Sequence, residues 1–358
     1  MAWAALGGWL TSHRAELRLG LRITIAGLAS FVIAQLLGLA QSYWAVITAV
    51  IVMQASVGGS LKATLDRFLG SLGGAAWGVV VTLAFPRSDA VSHSLALAVA
   101  LLPLGLLTAL KPAYRVAPIT AVILLLTPTS QETGPLFSAL DRVLEIGLGS
   151  IVALGVALFF LPARAHGLVT GSAATALESM AKLVVLLLAE RDPPPDPHEI
   201  QDLQDRIRKA IIRAETAADE ASRERAHYLT DAPDPEPLCR TLRRLRSDLI
   251  MIARTAVAPL PEPVRARLAG PALEAGEAIA AFLRDTAAAL TRDAPAPSGD
   301  LVERALAEYA AAMTELRREG LTRDLSDEAV GRIFGLAFAL EQLLRDLGDL
   351  RDRAQELA

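Results

Sequence analysis

The stretch YWAVITAVIVMQASVGGSLKATLDRFLG, Tyr43 to Gly70, decides how the whole chain is read. It opens as an uncharged apolar run, passes through a small polar break holding Gly58 and Gly59, and closes on Asp66 and Arg67. The pentapeptide ITAVI at Ile47–Ile51 recurs at Ile119–Ile123, each copy following a tyrosine, Tyr43 or Tyr114. What comes after recurs too: TLDRFLGSLGGAAWGVVVTLAFP behind the first copy and ALDRVLEIGLGSIVALGVALFFLP behind the second. Both run Leu-Asp-Arg, a small-residue-rich helix, an apolar stretch, then Phe and a closing proline, Pro86 or Pro162. Two matches in one order at near-constant spacing predict a duplicated unit.

Around this repeat the chain is unevenly charged. Its 358 residues are 53% hydrophobic with a mean hydropathy of +0.39, high for a water-soluble protein. Residues 1–165 carry ten Lys/Arg against six Asp/Glu, and the rest carry 25 against 33. A sparsely charged front and a charge-dense back predict lipid for one and water for the other. We therefore expect a membrane module over 1–165 and a cytoplasmic helical domain over 166–358. The lone cysteine, Cys239, excludes an intrachain disulfide and a thiolate metal cluster. The first residues, MAWAALGGWLTSHRAELRLGLR, lack the order of a secretory signal, since their apolar stretch precedes the charges.

Six apolar segments are expected, roughly Leu19–Ala40, Tyr43–Ser56, Phe68–Phe85, Val91–Leu110, Val116–Pro128 and Val143–Leu161. Crossing ~30 Å of hydrocarbon takes ~20 helical residues, and the second and fifth segments fall short. If all six cross, triplets of three helices each have inverted topology, and short broken helices at matching positions point to the site of a transporter. Lys/Arg placement puts Arg14, Arg18, Arg22, Lys62, Arg67, Lys111, Arg115 and Arg164 on one side against Arg87 and Arg142 on the other. By the positive-inside rule both termini are cytoplasmic.

Arg67 and Arg142 hold equivalent places after the two short segments, and a guanidinium is always charged and grips a carboxylate through a two-pronged fork. Lys62 adds a cation; Gln54, Thr127 and Thr129 are polar groups near the ends of the short segments. These six are the expected permeation residues. The other reading is that each arginine pairs with its own Asp66 or Asp141, or snorkels to lipid phosphates. Glu145, with Asp66 and Asp141, is the carboxylate set for proton coupling. Cationic lining with an acidic neighbour points to an anionic permeant, not a metal cation. The stretches GSLGGAAWG from Gly70 and GLGSIVALG from Gly147 allow close helix packing.

Trp44, Gln54, Gly58-Gly59, Arg67 and the glycines from Gly70 to Gly74 together resemble the fusaric-acid-resistance-like family, also called aromatic acid exporters. The same module is similar to that of plant aluminium-activated malate transporters. The resemblance implies a six-helix module moving organic anions along basic residues, in a bacterial inner membrane, and a homodimer, because many bacterial members carry two such modules per chain. The plant proteins often have an acidic residue where this chain has Gln54. Any gating role carried over to that position is therefore weakened.

From Gly167 the sequence reads as helix after helix, with apolar residues at Ile200, Leu203, Ile207 and Ile211 and again at Leu238, Leu242, Leu245 and Leu249. Breaks at RDPPPDP, DAPDPEP, PLPEP and RDAPAPSGD predict five or six helices in a bundle. The basic run RTLRRLRSD from Arg240 is a solvated face or a contact to anionic lipid. There is no phosphate loop, no His-Glu-x-x-His spacing and no nucleic-acid module, so neither an ATP-driven engine nor an enzyme is expected, and no cofactor or metal. Two functions remain: an organic-anion transporter or channel, or a membrane-anchored interaction protein whose helical domain recruits partners.

Overall fold

The computed structural model of the chain describes residues 14–39, 41–85, 89–126, 135–162, 164–189, 195–227, 229–255, 262–323 and 325–357. Every regular element among them is helical, and they form two compact units, Met1–Arg164 and Ala165–Ala358.

The first unit runs α1 (Arg14–Leu36), α2 (Tyr43–Val52), α3 (Val57–Ala84), α4 (Ala90–Leu110), a single 3₁₀ turn (Pro112–Tyr114), α5 (Ala117–Leu126) and α6 (Pro135–Phe159). Helices α1, α3, α4 and α6 are long and apolar enough to cross a membrane. The two ITAVI helices, α2 and α5, have 10 residues each, or ~15 Å at 1.5 Å per residue, about half a hydrocarbon core. The unit is apolar on the outside as well: Leu28, Leu36, Leu83, Val91, Leu102, Leu110, Ile151 and Phe159 are exposed. In water such a surface would drive association; against lipid it is the stable arrangement. The chain is a multi-pass membrane protein.

The boundaries differ from the expected segments. The third helix starts at Val57, not near Phe68, and Gly58 and Gly59 lie in its first turn. The cause is local. Ser56, extended, accepts a 2.8 Å hydrogen bond from the Gly59 amide and so caps the helix, while Ser60 Oγ donates back to the Ser56 carbonyl and accepts from the Gln54 amide. Polar backbone groups at the break are thus met by two serines, and 28 residues of helix follow. Likewise α6 begins well before Val143, so Arg67 and Arg142 sit inside helices, not at their starts.

Packing ties the two triplets together crosswise. Each short helix lies mainly against the third helix of the other triplet, α2 on α6 and α5 on α3, while α3 and α6 pack on each other. Two glycines show how close these contacts are. A Cβ on Gly149 would run into the Ala45 carbonyl, and one on Gly74 into the Ala117 carbonyl. Ala45 and Ala117 each stand two residues before an ITAVI, and Gly74 and Gly149 each stand seven residues after the Asp-Arg arginine. The same backbone-on-glycine contact is therefore made at matching positions.

The second unit holds α7 (Ala165–Leu188), α8 (Pro197–Ala226), α9 (Glu236–Thr255), α10 (Glu262–Arg292), α11 (Asp300–Arg318) and α12 (Asp327–Leu357). Each proline-rich break read in the sequence is followed by one of these helices. By length and composition helix α7 too could cross a membrane. The sequence reading ended the last apolar segment at Leu161 and placed Gly167 onward in the helical domain, and α7 belongs to the second unit. In the unit α7 is the central rod: Val169, Ala173, Leu177, Met180 and Val184 are fully buried under α8, α9 and α10. Its first amide, at Ala165, donates to both carboxylate oxygens of the buried Glu224 on α8. Around it, the i, i+3/i+4 stripe of α9 (Leu238, Leu242, Leu245, Leu249) is 1% exposed or less. The basic run on α9 lies on an outward face, with Arg243 on Glu215 at 3.1 Å and Arg244 bridging to Asp346 and Asp349 of α12.

Candidate functional site

The repeat brings its two arginines inside the membrane unit. Arg67 on α3 is 7% exposed and Arg142 on α6 is 3% exposed, on two helices that pack against each other. Neither pairs with its neighbouring aspartate among the described residues. Asp66 is half-buried, Asp141 is exposed, and the ion pair of Arg142 is with Glu145, at a loose 3.8 Å.

Arg142 is held mainly from its face. Its Cζ lies 3.3 Å from the centroid of the Trp44 ring at the start of α2, a cation–π contact. Trp44 Nε1 donates to Gln41 Oε1 at 3.0 Å, and the Tyr43 hydroxyl donates to the same oxygen at 3.0 Å. The Gln41 amide donates to Glu145 Oε1 at 2.9 Å. Arg142, Trp44, Gln41 and Glu145 thus close a ring of contacts, with the Glu145 carboxylate at the N-terminal end of α2, where the helix dipole favours a negative charge. Among the described residues, Nε, Nη1 and Nη2 of Arg142 and Nε of Arg67 have no hydrogen-bond acceptor.

Near these groups the interior stays polar. The hydroxyls of Thr48 on α2, Ser71 on α3 and Ser150 on α6 are buried without a protein partner. Buried donors without acceptors are costly in a closed apolar core, at about 1–3 kcal/mol each.

A third arginine belongs to this interior. Arg22 on α1 is 1% exposed and donates from Nη1 to the Ala55 carbonyl at 3.3 Å, at the break between α2 and α3. Sequence reading counted Arg22 only as one of the positive charges setting orientation. The signal was available, since an arginine two turns into an apolar helix is a site by default. Trp44, Gln41 and Tyr43 were likewise passed over as site residues; only contact geometry reveals them.

The remaining expected residues lie outside this cluster. Gln54 is exposed and its side-chain Nε2 donates to the Ile51 carbonyl at 3.0 Å, closing the end of α2. Lys62 is exposed on α3. Thr127 and Thr129 lie outside the described residues. Among the described residues no group of three or more His, Cys, Asp or Glu side chains could hold a metal ion.

Comparison with known proteins places this geometry in context. The family model of the fusaric acid resistance protein family matches residues 16–358, and the chain belongs to that family, whose members are membrane transport proteins. A search of curated proteins finds no match.

Proposed function

We propose that this member of the fusaric acid resistance protein family moves small organic anions, aromatic carboxylates or dicarboxylates, across a bacterial inner membrane. The route passes between two inverted three-helix repeats, α1–α3 and α4–α6, and its centre is the pair Arg67 and Arg142. One observation carries the reading: a nearly fully buried Arg142 offers Nε, Nη1 and Nη2 to no acceptor among the described residues, with a second buried arginine on the helix packed against its own. Burying two cations costs several kcal/mol each. A protein that only anchored a recruiting domain would gain nothing from that cost, which disfavours the interaction-scaffold reading. A carboxylate arriving between the two would supply the missing acceptors and the opposite charge.

Gln54 and Lys62, on the exposed side of the α2–α3 break, form the approach, together with Thr127 and Thr129 at the corresponding place in the second repeat. Glu145 is the carboxylate placed to couple a proton to the anion, with Asp66 and Asp141 nearer the surface. Both termini face the cytoplasm and the active form is a homodimer. The test is flux of radiolabelled benzoate and malate through proteoliposomes holding the purified full chain. Arg67→Ala with Arg142→Ala is expected to abolish it; normal flux in the double variant removes the site assignment.

A further inference from the structure

A guanidinium can be held in a buried place in three ways. Hydrogen-bond acceptors in its plane hold it but occupy its N–H groups. A close carboxylate holds it but cancels its charge. An aromatic face holds it from above, and since all five N–H bonds lie in the guanidinium plane, none is consumed. At Arg142 the first is absent and the second is weak, for the Glu145 oxygen stands at 3.8 Å, beyond hydrogen-bond distance. The third is fully developed, at 3.3 Å from Trp44.

We propose that Trp44, its ring fixed by Gln41, is the positioning residue that holds Arg142 with its N–H groups unspent for the carboxylate of an incoming anion. The inference rests on the transport reading above and assigns within it what the repeat does not share. The position matching Trp44, three residues before the second ITAVI, is Val116. The position matching Glu145, three residues after the other arginine, is Gly70, and Val116 packs against Gly70. Platform and counter-carboxylate therefore exist at one arginine only. Arg142 is the oriented binding group and Arg67 the second charge. Gln41 supplies the orientation: its side-chain oxygen takes the indole N–H and the Tyr43 hydroxyl, while its backbone amide takes Glu145, so ring and carboxylate are set from one residue.

The experiment is benzoate counterflow in proteoliposomes of the full chain, with KM and maximal rate measured separately in a double-mutant cycle. Trp44→Leu is expected to raise KM by about three- to thirtyfold, the range of a desolvated cation–π contact, and to leave the maximal rate within about twofold. Trp44→Phe keeps an aromatic face and is expected to stay near wild type. In an Arg142→Ala background Trp44→Leu is expected to change KM no further, because its action runs through that guanidinium. If Trp44→Leu still raises KM in that background, the positioning role is overturned while the transport site stands. If Arg142→Ala itself leaves benzoate flux unchanged, the site reading falls and this inference with it. Should Trp44→Leu not be recovered as monodisperse protein, Gln41→Leu reads the same device at unchanged ring bulk. It is expected to raise KM in the Arg142 protein alone, and an unchanged KM there overturns the proposal.

Discussion

Replacing Asp248 with asparagine should make the C-terminal unit more stable, by a margin that builds as pH rises from about 4 and is complete above about 7. Asp248 on α9 and Asp346 on α12 are 4% and 3% exposed, and their carboxyl groups lie close enough to act on each other. Burial first, then the neighbouring Asp346 carboxyl, push the Asp248 carboxyl up to about 7, against partial relief from Arg244 and Arg345. In the unfolded chain it titrates near ~3.9. Between those two values the folded protein holds a proton that the unfolded chain has lost, so stability falls as pH rises through the window and is lowest above it. At ~1.36 kcal/mol per pH unit the ceiling is ~4 kcal/mol. The amide introduced by Asp248→Asn stays neutral at every pH and can still donate to Asp346. The assay is thermal unfolding of the full chain in detergent from pH 4.5 to 8.5, wild type beside Asp248→Asn. The variant is expected to match wild type near pH 4.5 and to lead by several degrees at pH 8.5. A constant offset across the range, or a less stable variant at pH 8.5, refutes the buried-proton account.

The remaining expectations concern packing, reactivity and coupling. Gly74→Ala and Gly149→Ala each force a helix off a backbone carbonyl, so each is expected to cost about 1–3 kcal/mol in detergent unfolding, and by similar amounts. A loss at one and none at the other contradicts the matched contacts. Burial pushes the Cys239 thiol up to about 11. At pH 8 its thiolate fraction is then ~100-fold or more below that of an ordinary cysteine, and maleimide is expected to label it only after denaturation, as read by intact mass. Glu145→Gln keeps an acceptor for the Gln41 amide but loses the charge. An imposed proton gradient is expected to drive benzoate in wild type and not in this variant, while passive exchange continues. An undiminished gradient response removes Glu145 from coupling.

Much of the membrane unit was legible because a duplication leaves aligned residues behind. ITAVI alone is apolar scaffold, but it set Ala45 against Ala117 in register, and the Asp-Arg pairs set Gly74 against Gly149. Those residues turn up in the same backbone contact. Helix limits were read less well. Gly58 and Gly59 suggested a loop, whereas two serines satisfy the backbone and let α3 begin there. Helix α7, read as the start of the second domain, is also apolar enough to cross a membrane for a simple reason: most of it is buried by its own bundle, and burial in protein selects the same side chains as burial in lipid. The buried carboxyls were half visible. Leu245, Asp248 and Ile252 share one helical face, as do Leu343, Asp346 and Leu350, so each aspartate stands on an apolar stripe. That the two meet is a fact of tertiary packing that no spacing within one helix encodes. The same holds for Trp44 and Arg142, which come from different triplets.

The central claim is that Arg142 lies on the path of an anion. It is tested most directly by cysteine accessibility at that position. In a Cys239→Ser background, Arg142→Cys is treated in proteoliposomes with a membrane-impermeant, negatively charged methanethiosulfonate. Modification from the aqueous side is the expected result. Modification only by a lipid-permeable maleimide would contradict the account.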